Sequence, residues 1–471
     1  MEAHLTYRLL IDGKLVDGAS TMDVINPASG TVFATCARAD PGQLEQAVQA
    51  AKRAFPSWSS LPYAERGAVL ARAADAIEAR AGELATLLVK EQGKPLPHAR
   101  GEVAGAVGAL RWFANQKLDI ETLRETEQDR IVEQRTPLGV VATITPWNFP
   151  LALLAMKVAP ALITGNTVVA KPAPSTPLTS ALLGEIVADI LPPGVLNIII
   201  DANDLGGLLT GHCDVAMVSF TGSTATGRRV MESAASNLKR LLLELGGNDA
   251  AIILDDADVS EVAQRVFNGA MANAGQVCLA VKRVYAPRGM YDALCDELTR
   301  LGSALVVDDG LNQGAQMGPV QNRQQYEKVL QIIEDARARG NILVGGTAIE
   351  RDGYFIAPTV VRDLPDDARL VREEQFGPVL PVLAYDSIDE VVSRVNDSEY
   401  GLSSTIWTKD VDRGMALALR IEAGTVWVNK HLDGPMDIPF GGAKQSGIGR
   451  AKGVEGLKAF TQAKVINISK G

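Results

Sequence analysis

One cysteine of this 471-residue chain lies in a segment that suits chemistry at sulfur. Cys278 stands in Asn273-Ala-Gly-Gln-Val-Cys-Leu-Ala280, which we place at the end of a helix. Its small neighbours leave room for a substrate beside the thiol. A lone cysteine is more often a small buried hydrophobic residue than a nucleophile, so its surroundings have to decide between the two. The other cysteines, Cys36, Cys213 and Cys295, lack such surroundings, and we expect Cys295 to lie in the core.

Glu244 and Asn148 are polar residues at places where a polar side chain is unexpected. Glu244 lies in the apolar run Leu241–Gly247, where burial of a carboxylate is costly unless it is paired or protonated. It is therefore either a structural carboxylate bound to backbone N–H groups or a general base with a raised pKa. Asn148 is held between two prolines in Thr145-Pro-Trp-Asn-Phe-Pro150. It either caps a turn or donates its amide to a developing oxyanion.

The segment Gly222-Ser-Thr-Ala-Thr-Gly227 has the glycine spacing of a Walker A loop. Arg228 and Arg229 stand where that loop needs Lys and Ser or Thr, so hydrolysis of a nucleoside triphosphate is excluded. The segment follows a predicted strand and opens a helix, and the backbone N–H groups there suit a pyrophosphate. A plain strand–helix turn is an equally good interpretation of this loop alone. Lys171, at the end of another predicted strand, suits a sugar hydroxyl or a phosphate.

These candidate residues follow short apolar runs that alternate with helical patterns. Such runs, bounded by Pro, Gly or Asn, are typical of strands buried on both faces, and their alternation with helices predicts parallel sheets with right-handed crossovers. We predict strands at residues 139–144, 166–170, 195–200, 215–220, 250–254 and 424–428. The pattern predicts two α/β domains that meet near Gly246–Gly247. We expect ligands outside the carboxyl ends of the strands.

The N-terminal quarter of the chain has different patterns. Residues 7–24 alternate between apolar and polar types and turn at Asp12–Gly13, which predicts a small hairpin. From Pro41 to about Gln116, apolar residues recur at helical spacing among Arg and Glu. We therefore predict surface helices over this region.

The composition excludes several classes of protein. With 46% hydrophobic and 22% charged residues the chain is globular and not intrinsically disordered. Its 46 Lys+Arg against 56 Asp+Glu give a net charge of −10, which disfavours nucleic acid and anionic membranes as partners. The apolar run Leu151–Ile163 is too short for a bilayer, and the first residues lack a signal-peptide pattern. Scattered His and Cys residues predict no metal site, and reduced thiols in a cytoplasmic protein.

Six motifs, taken in order, resemble the NAD(P)-dependent aldehyde dehydrogenase superfamily, with matches from about Ile25 to the C-terminus. They are Thr145-Pro-Trp-Asn-Phe-Pro150, Phe220-Thr-Gly-Ser223, Leu243-Glu-Leu-Gly-Gly247, Gly275-Gln-Val-Cys278, Glu374-Gln-Phe-Gly-Pro378 and Pro439-Phe-Gly-Gly442. The resemblance implies an α/β fold with two Rossmann-like parallel-sheet domains plus a small β oligomerisation arm. The domains it implies are a dinucleotide-binding domain of residues 1–117 and 138–246, a catalytic domain of 247–445, and an arm with a C-terminal strand formed by 118–137 and 446–471. It also implies a homodimer or homotetramer.

The resemblance implies oxidation of an aldehyde to its carboxylic acid with NAD or NADP. Cys278 corresponds to the nucleophile, which attacks the aldehyde carbon to give a thiohemiacetal. Asn148 and the backbone N–H of Cys278 correspond to the oxyanion hole. After hydride transfer to the nicotinamide, Glu244 corresponds to the base that activates water to hydrolyse the thioester.

The resemblance also implies a set of cofactor-binding residues. They are Ile144, Thr145, Trp147, Lys171, Pro174, Thr221, Gly222, Ser223, Leu245, Glu374 and Phe376. Lys171 corresponds to a contact with the adenine ribose, Ser223 and Trp147 to groups around the pyrophosphate, and Glu374 and Phe376 to those around the nicotinamide ribose. Where NAD-preferring relatives often carry a Glu that repels a 2′-phosphate, this chain has Pro174, so NADP is not excluded. The segment Asp201–Asp204 also lacks glycines that are common there in relatives.

The residues that correspond to the family's aldehyde tunnel are all apolar. They are Phe149, Leu153, Met156, Val277, Leu279, Leu432 and Phe440. Such a lining favours an uncharged aliphatic or aromatic aldehyde, because binding buries apolar surface. No arginine falls at a corresponding position to bind the carboxylate of a semialdehyde. Lys430 and His431, beside the tunnel mouth, keep a semialdehyde open as an alternative.

Three further functions remain as alternatives. A CoA-acylating aldehyde dehydrogenase uses the same cysteine, but such relatives commonly lack the base to which Glu244 corresponds. An esterase or thioesterase leaves the cofactor-binding matches without a purpose. A catalytically silent protein has no chemical need to keep Cys278, Glu244 and Asn148 together.

Overall fold

The computed structural model describes residues 6–471, so residues 1–5 of the predicted dinucleotide-binding domain lie outside the described residues. The strands, in chain order, are β1 (Thr6–Tyr7), β2 (Leu9–Ile11), β3 (Lys14–Val16), β4 (Ser20–Asn26), β5 (Thr31–Arg38), β6 (Glu121–Glu125), β7 (Asp129–Pro137), β8 (Val140–Ile144), β9 (Thr167–Lys171), β10 (Leu196–Ile198), β11 (Val215–Thr221), β12 (Arg240–Glu244), β13 (Ala250–Ile253), β14 (Arg283–Pro287), β15 (Asn341–Val344), β16 (Thr359–Arg362), β17 (Val379–Tyr385), β18 (Tyr400–Gly401), β19 (Ser403–Trp407), β20 (Thr425–Val428), β21 (Ala443–Lys444), β22 (Gly447–Ile448) and β23 (Thr461–Ser469).

The helices cover the sheets and connect their strands. They are α1 (Pro41–Ser59), α2 (Tyr63–Ala79), α3 (Ala81–Gln92), α4 (Leu96–Ala114), α5 (Pro150–Ile163), α6 (Leu178–Val187), α7 (Gly206–Gly211), α8 (Thr224–Ala235), α9 (Val259–Met271), α10 (Arg288–Ala304), α11 (Arg323–Arg339), α12 (Arg369–Arg372), α13 (Ile388–Asn396), α14 (Val411–Ala418) and α15 (Gly453–Ala459). A 3-10 turn, Ala272–Gly275, follows α9.

The first large sheet has the strand order β22-β12-β11-β8-β9-β10-β2-β3. Its five central strands, from β12 to β10, are parallel. From β8 the chain adds β9 and β10 on one side, and then returns to place β11 and β12 on the other side. The direction of winding therefore reverses between β8 and β11. In sheets of this kind ligands bind outside the carboxyl ends of the strands at that reversal.

The second large sheet has the order β15-β16-β17-β14-β13-β19-β20, and all pairs except β15–β16 are parallel. Side chains alternate across it as strand geometry requires. Ala250 and Ile252 of β13 enter a core formed with α11 and α13, whereas Ala251 and Ile253 enter a core formed with α9 and α10. Both faces of β13 are thus buried, which explains its continuous apolar sequence.

A three-stranded antiparallel sheet of order β23-β7-β6 forms the predicted arm. Its long pairing joins the C-terminal strand to β7, from Thr461 opposite Pro137 to Ser469 opposite Asp129. The sheet carries exposed apolar side chains, among them Leu123 on β6 and Val465 on β23. Two smaller sheets, β1-β5-β4 and β18-β21, complete the fold.

The predicted secondary structure is confirmed at most places. All six predicted strands are present, the helices α1–α4 occupy residues 41–114, and the hairpin β2–β3 turns at Asp12 and Gly13, both with positive φ. The α/β fold class with two parallel-sheet units and a β arm is therefore correct. One local expectation is wrong: Cys278 is not at a helix end, because α9 stops at Met271 and a left-handed turn intervenes.

The candidate residues lie at the carboxyl ends of strands only in the first sheet. Cys278 and Gly247 precede β14 and β13, so they lie at the amino ends of the second sheet. These amino ends meet the loops that follow β8 and β12 of the first sheet: the side chain of Asn148 donates to the carbonyl of Gln276 at 2.9 Å. The candidate site is therefore formed where a carboxyl edge meets an amino edge.

Candidate active site

The segment before Cys278 has an unusual backbone. Asn273, Ala274 and Gly275 all have positive φ, of 49°, 54° and 71°. Gly275 has no alternative, because a Cβ there would lie 2.1 Å from the carbonyl oxygen of Gly377. Successive left-handed residues are costly and persist only where the surrounding structure enforces them, as at functional sites.

Asn148 is fixed by hydrogen bonds to the Cys278 loop and to the segment between α3 and α4. Its Nδ2 donates to the Gln276 carbonyl at 2.9 Å, and its own carbonyl accepts from Asn273 Nδ2 at 3.1 Å and from Lys94 Nζ at 2.9 Å. Lys94 in turn pairs with Glu102 at 2.5 Å, and neither side chain is exposed. The Glu102 carboxylate also accepts the N–H groups of the first turn of α5. A buried network therefore holds the Asn148 amide beside the Cys278 loop.

Two N–H groups beside the Cys278 loop have no acceptor among residues 6–471. The backbone N–H of Cys278 forms no hydrogen bond, and Asn148 Nδ2 uses only one of its two N–H groups. The hydrogen bond of Asn148 to Gln276, two residues before Cys278, keeps the side-chain amide beside the loop that carries the other N–H group. Two preorganised donors beside a thiol are the arrangement that stabilises a tetrahedral oxyanion.

Cys278 is partly exposed, and burial raises the pKa of its thiol to about 12. Lys282 acts in the opposite direction. Its ammonium group is 1% exposed and donates to the carbonyls of Val277 at 3.0 Å and Cys278 at 2.5 Å. This cation lowers the pKa of the thiol, whereas the negative charge of Glu244 raises it. Lys282 thus both fixes the loop and favours the thiolate.

Glu244 ends β12, beside the end of β11. Burial raises the pKa of its carboxyl group to about 7, although the cations Lys157, Lys452 and Arg450 oppose the shift. Its Oε1 is buried and has no hydrogen-bond partner among the described residues. A carboxyl group that titrates near neutrality and keeps a free oxygen is suited to accept a proton from water.

A cleft of about 1350 Å³ opens at the carboxyl ends of β8 and β11, where the winding of the sheet reverses. Most of the predicted cofactor-binding residues line it: Ile144, Thr145, Trp147, Lys171, Pro174, Thr221, Gly222 and Ser223. Ser223 caps α8 by accepting the N–H of Thr226 at 3.3 Å, so the N-terminus of this helix faces the cleft. A helix N-terminus offers unpaired N–H groups and a positive dipole end to a phosphate group.

The other three predicted cofactor residues lie beside the cleft rather than in its lining. Leu245 is buried and donates its N–H to the Ser446 carbonyl at 2.9 Å. Glu374 accepts the N–H of Gly247 at 3.1 Å, and Phe376 packs edge-on against Trp147 with ring centroids 5.3 Å apart. Glu374 and Phe376 therefore border the passage between the cleft and the Cys278 loop.

Among the cations of residues 6–471 that line the cleft, Lys171 is neutralised by a carboxylate and Arg229 is not. Lys171 forms a buried ion pair with Asp201 at 2.5 Å, and Asp201 is wholly inaccessible. Pro174 contributes no carboxylate, and Arg229 lines the cleft without an ion pair among the described residues. No accessible carboxylate at Pro174 or Asp201 can therefore repel a 2′-phosphate.

The predicted substrate residues fall into three groups. Phe149, Leu153 and Met156 form the partly exposed stripe of a helix that is otherwise buried, since residues four and seven apart share a helix face. Val277 and Leu279 flank Cys278 on its loop. Phe440 lies beside Lys452, and Leu432 is 39% exposed in the loop before it. Phe149 adjoins Asn148, and Val277 and Leu279 adjoin Cys278, whereas Leu432 lies at the surface.

Lys430 and His431 left a semialdehyde substrate as an alternative, but neither side chain is suited to bind an anion. Lys430 pairs with Asp433 at 2.6 Å. His431 is uncharged at neutral pH, because burial lowers its pKa to about 4.

Sequence reasoning missed Lys94, Lys282 and Lys452. Lys282 carried a signal, since it lies four residues after Cys278, whereas Lys94 is far along the chain from every recognised motif. The burial of both side chains depends on tertiary packing. Among the described residues, His212, Cys213 and Asp214 bring three potential metal ligands within 4.8 Å of one another. His212 and Asp214 already bind Glu45 and Lys52, and the group lies at the amino end of β11, far along the strand from the cleft. No helix of the described residues is long and apolar enough to cross a membrane.

Comparison with known proteins places this geometry in a family. The model of the "Aldehyde dehydrogenase family" matches residues 15–466. A betaine aldehyde dehydrogenase of Rhizobium leguminosarum bv. trifolii is 38% identical, over 100% of this chain and 99% of that protein. A glutarate-semialdehyde dehydrogenase of Pseudomonas putida is also 38% identical, over 96% of this chain and 95% of that protein.

A solved structure shows the same likeness in three dimensions. The NAD+ complex of an aldehyde dehydrogenase from Bacillus cereus superposes with a TM-score of 0.97 at 36% identity, covering 99% of this chain and 97% of that one. Family model, relatives and structure agree over nearly the full length. The chain therefore belongs to the aldehyde dehydrogenase family.

Proposed function

We propose that this enzyme oxidises an aldehyde to its carboxylic acid with NAD or NADP, through a covalent bond to Cys278. The observation that carries the proposal is the pair of unused donors at the nucleophile. The N–H of Cys278 and the amide of Asn148 are held together by the bond from Asn148 to Gln276. They are positioned to bind the oxygen of an aldehyde after attack at its carbon.

In the first step, Cys278 Sγ adds to the aldehyde carbon and the oxygen takes up the negative charge. The two donors stabilise that charge, and loss of one such donor typically costs about 2.7–4 kcal/mol. Lys282 offsets part of the cost of forming the thiolate in a buried place.

A bound nicotinamide dinucleotide supplies the hydride acceptor. The donors around the cleft fit such a molecule: the N-terminus of α8 suits the pyrophosphate, and Lys171 suits a ribose hydroxyl. Trp147 and Phe376 enclose the passage to Cys278. The Bacillus cereus relative binds NAD+ on the same fold. Because the cleft lacks an accessible carboxylate at Pro174 and Asp201, we propose that NADP is accepted as well.

In the last step, Glu244 acts as the base for hydrolysis of the thioester, which releases the carboxylic acid. Its ionised carboxylate takes a proton from water, and the resulting hydroxide attacks the thioester carbon, so that the C–S bond breaks and Cys278 regains its thiolate. The free Oε1 is the atom assigned to this proton. This base favours hydrolysis over transfer of the acyl group to CoA, which remains the alternative.

The substrate is proposed to be an aldehyde whose chain packs against the apolar stripe of Phe149, Leu153 and Met156 on α5. An uncharged aliphatic or aromatic aldehyde suits this stripe. The relatives do not decide the end group, because their names give a cationic and an anionic aldehyde, betaine aldehyde and glutarate semialdehyde.

We further propose that the chain acts as a homodimer or homotetramer that uses the β23-β7-β6 sheet, whose exposed Leu123 and Val465 need a partner surface. The proposed domains are those of the sequence analysis, with β22 of the C-terminal segment added to the edge of the first sheet. Four free cysteines support a cytoplasmic location.

The test follows reduced-cofactor absorbance with NAD and NADP separately, over aliphatic, aromatic and carboxylate-bearing aldehydes. Reduction by the wild-type enzyme and none by Cys278→Ala is the expected result. Cys295→Ala, which removes a buried thiol on α10, is the matched control and keeps the activity. Reduction that appears only after CoA is added would replace the proposal by the acylating alternative. No reduction under either condition would refute it.

A further inference from the structure

We propose that Lys452 binds a carboxylate at the far end of the substrate, so that the enzyme acts on aldehydes that carry a second, anionic group. The inference rests on the proposed function. It assigns a role to a cation that neither the recognised motifs nor the relatives identify.

The backbone carries Lys452 to the substrate side of the site. Phe440 and Ala451 exchange two backbone hydrogen bonds, of 2.7 and 2.6 Å, which fix Lys452 next to Phe440. Its Nζ lies 5.6 Å from the centre of the Phe440 ring. The residue has a φ of 59°, in the left-handed region that a lysine rarely adopts. The helix that follows, α15, contacts α5, which carries the apolar stripe.

The neighbours of Lys452 connect it to the reacting groups. Burial lowers the pKa of its ammonium group, whereas the negative charges of Glu244 and of the Cys278 thiolate raise it. Lys452 is therefore in the electrostatic range of both the nucleophile and the base. It is half-buried and reaches this position from the C-terminal segment.

The charge of Lys452 has no anionic partner in the part of the chain that the structure describes. Among residues 6–471 it forms no ion pair within 4.0 Å, and its ammonium group donates only to the Gly434 carbonyl at 3.0 Å. The carboxylate in the same loop, Asp433, already pairs with Lys430. A cation on a partly buried residue that has no counter-ion favours an anion beside it. The neutral lining favours the chain of the substrate, and Lys452 favours its charged end.

The alternative role for Lys452 is to stabilise the carboxylate of Glu244. The two side chains do not form an ion pair, and the bond to Gly434 holds the ammonium group beside Phe440. A cation that served Glu244 alone would change the turnover of all aldehydes by the same factor. A cation that binds the substrate changes KM, and only for substrates with an anionic end. The experiment can therefore separate the two roles.

The test compares aldehydes of equal chain length that end in a carboxylate or a methyl group. Succinic, glutaric and adipic semialdehydes are paired with butanal, pentanal and hexanal, and kcat and KM are measured for wild type, Lys452→Met and Lys452→Arg. We expect wild type to prefer the carboxylate member of at least one pair. Lys452→Met reduces that preference about tenfold to hundredfold, mainly through KM, because a hydrogen bond to a charged group is lost. Lys452→Arg retains most of it.

Lys458→Met is the matched control, because Lys458 is a cation on the helix that follows Lys452 and pairs with Glu455. It leaves the preference unchanged. Lys452→Gln replaces Lys452→Met if the latter does not show a wild-type thermal transition. An equal loss for both members of every pair, or an unchanged preference in Lys452→Met, overturns the proposal and leaves the oxidation itself intact. If wild type does not reduce the cofactor with any of these aldehydes, the proposed function fails instead.

Discussion

The pH dependence of turnover tests the role of Glu244 most directly. Its pKa is raised to about 7, so the fraction ionised rises from about 9% at pH 6 to about 91% at pH 8. At an ordinary glutamate pKa of 4.5 the same fraction would stay near 1 over this range. If Glu244 is the base for thioester hydrolysis, the rate of that step therefore increases about tenfold between pH 6 and pH 8.

The assay uses rapid mixing at saturating aldehyde and cofactor, with reduced-cofactor absorbance recorded from pH 5.5 to 9. A burst reports the steps up to the thioester, and the later linear phase reports hydrolysis. In Glu244→Gln we expect the burst to remain and the linear phase to slow by about 10²–10⁴-fold, the usual contribution of a general base. The slower linear phase of Glu244→Gln shows no inflection near pH 7.

Two further variants sharpen this test. Lys157→Met removes a buried cation that lowers the pKa of Glu244, so the inflection moves to higher pH. Glu91→Gln is the matched control, because Glu91 also has a pKa raised to about 7 but binds the first turn of α6. A wild-type linear phase that is independent of pH between 6 and 8, or an inflection that survives in Glu244→Gln, would refute the reasoning.

Three other predictions follow from the same structure. Asn148→Ala removes one oxyanion donor and lowers kcat by about 10²–10³-fold; a decrease confined to KM would show that the amide does not act on the transition state. Pro174→Glu introduces a carboxylate into the cleft and lowers kcat/KM for NADP about tenfold or more relative to NAD, and equal effects on both cofactors would contradict the assignment of this end of the cleft. Because burial raises the pKa of Glu91 from 4.5 to about 7, the folded state binds the extra proton, and stability falls as pH rises through this window. Glu91→Gln reduces that loss by about 3 kcal/mol in denaturant unfolding between pH 4.5 and 8, and an unchanged slope would exclude Glu91 as its source.

The candidate site contains features that are local in the sequence. Residues such as Asn148 and Cys278 stand in short motifs whose prolines, glycines and small residues restrict the backbone, and those restrictions are local. The apolar runs that end in Lys171 and Glu244 form strands as predicted. Most of the predicted cofactor-binding residues line one cleft, because they follow strands that are neighbours in the sheet.

The electrostatics of the site could not be read in the same way. The pKa values of Glu244 and Cys278 depend on burial and on cations from distant segments, such as Lys157 and Lys452. Lys430 was a candidate for an anion because of its position, but its pairing with Asp433 depends on the conformation of the loop. No periodicity in the sequence indicates which charged side chains form ion pairs in the folded protein.

The sequence by itself determined the fold class and most of the secondary structure, and it supplied the candidates for the reacting groups. Those properties depend on the residue types within a short window, where the pattern of burial and the turn residues are legible. Tertiary structure alone decided that the nucleophile lies at the amino edge of the second sheet, and that Gly275 must pass under the carbonyl of Gly377. It also brought Lys452 from the C-terminal segment to the substrate side of the site. These contacts join segments far apart in the chain, so they follow from the packing of whole sheets and not from local sequence.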